Sequence, residues 1–365
     1  MNEQFDIPIN SPDLGKEELR EINKVFESGW PSEGKITKKF EMMISEYLSS
    51  NTVVVNNGSS ALMSALIANN IRPGEKVIVP DYTFVATSSV PKLLGAKVIP
   101  ADVDQNTFNI KSESVEEIVK KEDIKAVILV DVAGVPADID AFSDLAKRHK
   151  FVLIEDAAQS FGSEYKNKKL GSFDHTTIFS FQIVKQITTI EGGCVSSTDE
   201  SIIKKIKRIK DYGRSLNDRY VSETIGTNFR TTDLQSAIGI CQLKKIEPHL
   251  KNRKKIVDEY KKNIKQLKFQ KTPKYVTKNS NQISFGLAKN EQTRDDFVRG
   301  LKNIHIDGRK PWTPIHMQPC NQELKNFKCP NAVKIFKNGL ALPLFNNMKL
   351  SEAKKVIKYF SNTLK

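Results

Sequence analysis

Lys185 is the only lysine in residues 178–197, a stretch of two strand-like apolar runs joined through Gln182-Ile183-Val184-Lys185-Gln186, the pair Thr188-Thr189 and the corner Gly192-Gly193. A lysine kept from water loses part of its preference for the charged form and becomes an amine nucleophile, the state that Schiff-base chemistry requires. Taken alone, the stretch also suits a solvated lysine on a hairpin. Asp156 follows the apolar run 151–154; a carboxylate there can sit beside a ring nitrogen and keep it protonated, or cap a helix. Asn56-Asn57-Gly58-Ser59-Ser60 leads from a short apolar run into a helical one. Small residues at a helix N-terminus make an anion site, although serine there is also an ordinary cap. Phe84, after another strand end, can stack on a planar ring or pack in a core.

The elements that must position these groups alternate. Apolar spacing predicts helices at 15–28 and 37–48, a strand at 53–55 and a helix at 61–68. Strands follow at 77–79, 97–100, 126–130, 151–155 and 176–181, separated by helices at 84–94, 115–121 and 139–149. Runs of buried β-branched residues between amphipathic helices argue for a parallel sheet covered on both faces. Ligands in such sheets sit beyond the carboxyl ends of the strands, where the candidate groups fall. After Gly193 come a strand to 197, a helix at 200–212, a loop at 213–228 and helices from 233 to 267. A second unit then holds the segment 282–287 and helices at 293–303 and 351–364.

The chain of 365 residues carries a formal charge of +14, with 39% hydrophobic and 27% charged residues. The composition is that of a soluble globular protein, long enough for one large and one smaller domain. No apolar run reaches the roughly 18 residues of a membrane span, and the first residues lack the pattern of a signal peptide, so a cytoplasmic location without membrane insertion is expected. Lysines are spread among acids without an arm or finger motif, which argues against nucleic acid and suits small anionic ligands. Cys194, Cys241, Cys320 and Cys329 have no CxxC spacing, and His175 has no second histidine at ligand spacing. No metal and no disulfide framework is expected.

Several spaced motifs together resemble the sugar aminotransferases of the DegT/DnrJ/StrS family, perosamine synthase-like members included. They are Ser28-Gly29-Trp30, Gly58-Ser59-Ser60, 80–87 with Thr83-Phe84, Asp156-Ala157-Ala158-Gln159, Phe179-Ser180-Phe181 with Lys185, Glu191-Gly192-Gly193, 228–235, 309–316 and Leu342-Pro343. The resemblance implies an α/β protein of the aspartate-aminotransferase fold, type I, dependent on pyridoxal 5'-phosphate. Its large domain, 1–245, would carry the N-terminal segment and a mainly parallel seven-stranded sheet. The smaller C-terminal α/β domain would span 246–365.

Residue by residue, the resemblance makes Lys185 the lysine that bonds to the cofactor and later moves the proton. It makes Asp156 the partner of the ring nitrogen, Gln159 the neighbour of the phenolic oxygen and Phe84 the stacking aromatic. Gly58, Ser59, Ser60 and Ser180 would cradle the phosphate, with Asn228 reaching it from the neighbouring subunit of a homodimer. Trp30, Arg309, Trp312 and His316 are candidates for the sugar and nucleotide pocket, although Trp312 and His316 also suit a core. The implied reaction moves an amino group from glutamate to a nucleotide-linked keto-deoxysugar, at C4, for surface polysaccharide or glycan synthesis. C3 chemistry, an amino-cyclitol substrate and a non-catalytic cofactor-binding regulator are the other readings. Keeping lysine, where some relatives have histidine and are dehydratases, favours transamination. Ile190 stands where the family usually has glycine, a strained choice if its φ is positive.

Overall fold

The structure, a computed structural model, describes residues 5–215, 217–218 and 220–363. The end of the last predicted helix at 364 and two positions of the 213–228 loop lie outside it. Seven strands form the central sheet, in the order Asn51–Val55, Gly193–Ser197, Thr176–Ser180, Val152–Asp156, Ala126–Val130, Lys76–Pro80 and Lys97–Ala101. The strands from Thr176–Ser180 to Lys97–Ala101 pair in parallel, and Gly193–Ser197 runs against both its neighbours. The mainly parallel seven-stranded sheet expected from the sequence is therefore present. Its β-branched runs are buried along their length because helices cover both faces, as all-parallel pairing requires.

The reversed strand has a local consequence. Ser180 pairs with Gly193, so residues 181–192 must leave and re-enter the sheet at one edge. Lys185 is thereby returned to the carboxyl ends of the parallel strands. Asn57 opens the helix Gly58–Ala68 at that edge, its side chain accepting the Ser60 amide at 2.8 Å.

Helix Lys35–Leu48 packs on helix Asp233–Lys244, and Asp233 fixes the joint. Its carboxylate accepts the amides of Gly34, Ile36 and Thr37 and the Thr37 hydroxyl, at 2.7–3.1 Å. A charged acceptor taking several donors ties these two helix starts together more firmly than apolar contact alone. A second core gathers around Ile256, Tyr260, Leu301, Val356 and Phe360 on a three-stranded antiparallel sheet of Lys268–Phe269, Ser284–Leu287 and Gly339–Leu342. Ile7 belongs to this core and bridges to Ile306, so the N-terminal segment crosses back onto the C-terminal unit.

Gly239 on helix Asp233–Lys244 sits against helix Lys35–Leu48; a Cβ there would lie 2.3 Å from the ring of the fully buried Phe40. Gly239→Ala is expected to destabilise the fold by about 1–3 kcal/mol through overpacking. Chemical denaturation checks this, and an unchanged midpoint would show that the Phe40 ring can move aside.

Candidate functional site

A cavity of about 630 Å³ opens at the carboxyl edge of the sheet, between the strand ends and the C-terminal unit. Gly58, Ser59, Phe84, Asp156, Gln159, Ser180, Lys185, Arg309 and Trp312 all line it. Parallel strands deliver their last residues to one edge, and so groups from four separate strand ends meet in one space.

Asp156 ends its strand, 8% exposed, and is held from two sides. The Thr87 hydroxyl donates to one carboxylate oxygen at 2.9 Å and the Ala158 amide to the other at 3.2 Å; Thr83 lies 3.0 Å behind Thr87. Burial raises the Asp156 pKa above its ordinary range, while these hydrogen bonds and the charge of Lys185 pull it down. Behind it, burial pushes Asp131 well above the usual carboxylate range, and Glu155 adds to the shift. Glu155 is anchored by Thr177 at 2.9 Å and His175 at 3.2 Å. His175, stacked on Phe173, is a buried structural group.

The Lys185 amine is lowered to about 8, chiefly by burial, against the upward pull of Asp156 and then Glu191. Desolvation wins because both carboxylates act across the cavity and neither bonds to the amine among the described hydrogen bonds. At neutral pH a usable fraction is therefore uncharged. Gln159 is fixed by the Ala133 amide, which donates to its side-chain oxygen at 2.9 Å. Phe84 remains 53% exposed, a wall of the cavity with its edge towards Trp312, so core packing is not its role.

The residues fit pyridoxal phosphate on geometry of their own. A Cβ on Gly58 would approach the Ser180 Cβ to 2.8 Å, so only glycine lets the helix start close against the strand end. The exposed Ser59, Ser180 and the helix N-terminus form a concave donor set there. Ser60 is placed differently: its amide is spent on Asn57, and the buried residue does not line the cavity.

Other expected residues also lie elsewhere. His316 does not reach the cavity, which corrects its assignment to the sugar pocket. The buried Asp81 carboxylate takes its backbone amide at 2.9 Å and its Nδ1 at 2.6 Å, leaving the ring committed to that acid. Asp81, His316 and Cys329 bring potential ligand atoms within 4.8 Å of one another. Trp30 is 60% exposed on the outer surface, donating to the Glu33 carbonyl, and Asn228 bridges Asp211 outside this chain's own cavity. Arg309 sits at the rim with its head on Asp307 at 2.8 Å, and Lys310 pairs with Asp295 at 2.9 Å.

Thr87, Glu191 and Gln282 also line the cavity; the sequence reading held Thr87 and Glu191 only as members of motifs, without a role, and did not single out Gln282. A threonine one helical turn from Phe84, and a glutamate before Gly-Gly, were the available signals. Ile190 adopts φ +71°, the left-handed conformation, with its side chain half exposed and its amide on the Thr188 hydroxyl at 2.8 Å. For a β-branched residue this is a true outlier, beside the Glu191 that faces Lys185.

Two outcomes follow from this geometry. Ile190→Gly removes roughly 1–2 kcal/mol of strain and gives back roughly 0.5–1 kcal/mol of unfolded-state freedom, so thermal denaturation is expected to show equal or higher stability. A lower midpoint would mean that contacts of the isoleucine side chain outweigh its strain. Asp156→Asn removes the stronger charge holding the amine up, so the pH at which Lys185 becomes reactive to acylating reagents should fall below the wild-type value near 8. A rise would overturn this account of the amine.

The chain matches the DegT/DnrJ/EryC1/StrS aminotransferase family over residues 12–361. It is 30% identical to the GDP-perosamine synthase of Caulobacter vibrioides, with 98% of each chain covered. It is 31% identical to the spore coat polysaccharide biosynthesis protein SpsC of Bacillus subtilis, over 98% of this chain and 97% of that one. Among solved structures, the PLP-form of the putative sugar aminotransferase Spr1654 from Streptococcus pneumoniae superposes with a TM-score of 0.92 at 27% identity, covering 98% of both chains. That likeness places the sheet in the type I fold of pyridoxal-phosphate enzymes. With nearly its whole length matched, the chain belongs to the DegT/DnrJ/EryC1/StrS aminotransferase family.

Proposed function

We propose that the protein is a pyridoxal-phosphate-dependent, homodimeric aminotransferase that moves an amino group from glutamate to C4 of a nucleotide-linked keto-deoxysugar. The product serves surface polysaccharide or glycan synthesis. The observation that carries the reading is one cavity holding a lysine lowered to about 8 and, across from it, a buried carboxylate oriented by two donors. Full-length similarity to GDP-perosamine synthase and SpsC supports the sugar-nucleotide substrate class and the polysaccharide setting.

Bound there, the cofactor supplies an electron sink for labile bonds at the substrate carbon. Asp156 would hold the proton on the ring nitrogen, Gln159 would stand by the phenolic oxygen and Phe84 would cover a face. Ser59, Ser180 and the Gly58 turn receive the phosphate. Lys185 would be the amine that bonds to the cofactor and, once free, the base that takes and returns a proton at the substrate. Arg309 and Lys310, with the overall charge of +14, favour an anionic substrate at the rim. Exposed apolar side chains of Phe26, Trp30, Met42 and Ile225 support pairing with a second copy, whose Asn228 would complete the phosphate site.

Protein loaded with pyridoxal phosphate is expected to absorb in the near-ultraviolet to visible range of a lysine-bound cofactor. Lys185→Ala should lose that band and all turnover, and an unchanged band would sink the lysine assignment. Glutamate should shift the wild-type spectrum to the amine form. Mass spectrometry of products from a panel of nucleotide-linked 3- and 4-keto sugars then tests the position, and an amine at C3 would replace the regiochemistry alone.

A further inference from the structure

Arg253, on helix Ile246–Asn263, is 1% exposed. Among the described residues no carboxylate pairs with it. Its Nε donates to Oδ1 of Asn346 at 2.7 Å, and its Nη1 donates to the carbonyls of Gln282 at 3.1 Å and Asn281 at 3.3 Å. Burial alone holds the guanidinium down to about 9. A cation without a paired anion is costly to place in a core, so what its hydrogen bonds hold needs a reason.

Two of these partners lead to the same place. Asn346 donates its Nδ2 to the carbonyl of Gln186 at 2.9 Å, and Gln282 donates its Nε2 to the carbonyl of Val184 at 3.2 Å. Gln186 and Val184 flank Lys185. Around them the loop is pinned further, with Asn10 on the Val184 carbonyl at 3.0 Å and the Gln186 side chain on the Gln159 carbonyl at 2.7 Å. The Gln186 carbonyl also lies 3.3 Å from Nδ1 of His249, whose Nε2 is 2.9 Å from Asp13. Arg253 thus stands one residue away from both peptide carbonyls that bracket the amine, through two arms of a single rigid fork.

We propose that Arg253 is a positioning residue, acting through Asn346 and Gln282 on the carbonyls on either side of Lys185 and so fixing where the amine enters the cavity. The inference rests on Lys185 being the reactive amine. It gives the buried cation a task in the reaction, because a catalytic group displaced by a fraction of an ångström loses much of its rate.

Asn346→Asp separates this role from simple packing. The new carboxylate keeps, and charges, the acceptor for Arg253, so the core should stay folded with an equal or higher melting temperature. The N–H that held the Gln186 carbonyl is replaced by an oxygen that repels it. In cofactor-free protein, acylation of Lys185 by acetic anhydride across pH, read by peptide mass spectrometry, is expected to move its inflection up by about one pH unit as water reaches the loosened amine. In the loaded enzyme kcat of the glutamate half-reaction should fall roughly tenfold or more with KM little changed. Folded Asn346→Asp with the wild-type inflection and kcat overturns the proposal. Should that variant fold poorly, or should its new charge alone move the inflection, Gln282→Met removes the N–H to the Val184 carbonyl without adding charge and reads the other arm by the same acylation profile, and a wild-type profile there overturns the proposal equally. Borohydride trapping of the cofactor on a different lysine in the wild type would remove the assignment of Lys185 itself, an outcome separate from failure of the relay.

Discussion

Keeping one amine out of water without handing it a carboxylate is the constraint on which the site depends. A lysine bonded directly to an acid would stay charged, and one left in solvent would stay near its ordinary value. Lys185 escapes both because its loop leaves the sheet and returns at the same edge, and its neighbours' carbonyls are held by Asn10, Gln282 and Asn346. Asp156 and Glu191 lie close enough to pull the amine upwards, yet burial outweighs them.

Behind the cavity the same logic applies to acids. Asp131, Glu155 and Asp156 lie at two adjacent strand ends, and burial drives Asp131 towards its neutral form and raises Asp156 as well. Threonine, serine and histidine partners bond one oxygen of each acid. Asp156, nearest the cavity and fastened by Thr87 and Ala158, is left as the carboxylate that can answer a cationic group in front of it.

Much of the fold was legible because buried parallel strands must be apolar along their whole length while their covering helices repeat every three to four residues. The groups that follow those strands directly, Gly58, Phe84, Asp156 and Lys185, could be picked out for that reason. Residues whose role depends on the path of a distant loop could not. His316 and Trp312 stand four positions apart and read alike in sequence, yet Trp312 lines the cavity while Asp81 draws His316 away from it. Arg253, Asn346 and Gln282 are ordinary polar residues in helical and loop segments, and only their convergence on one short loop distinguishes them.

Ile190 marks the division between the two kinds of information. Sequence alone identified an isoleucine at a position usually taken by glycine and so determined that strain would follow from a positive φ; the φ of +71° is set by the loop's closure between two antiparallel strands. In the same way the sequence determined the sheet, the order of its elements and the chemistry at the strand ends, because local period and residue type specify these. The tertiary structure alone decided how far Lys185 is desolvated, which cations face the cavity and what holds the loop, because burial and hydrogen-bond partnership are properties of distant segments meeting in space.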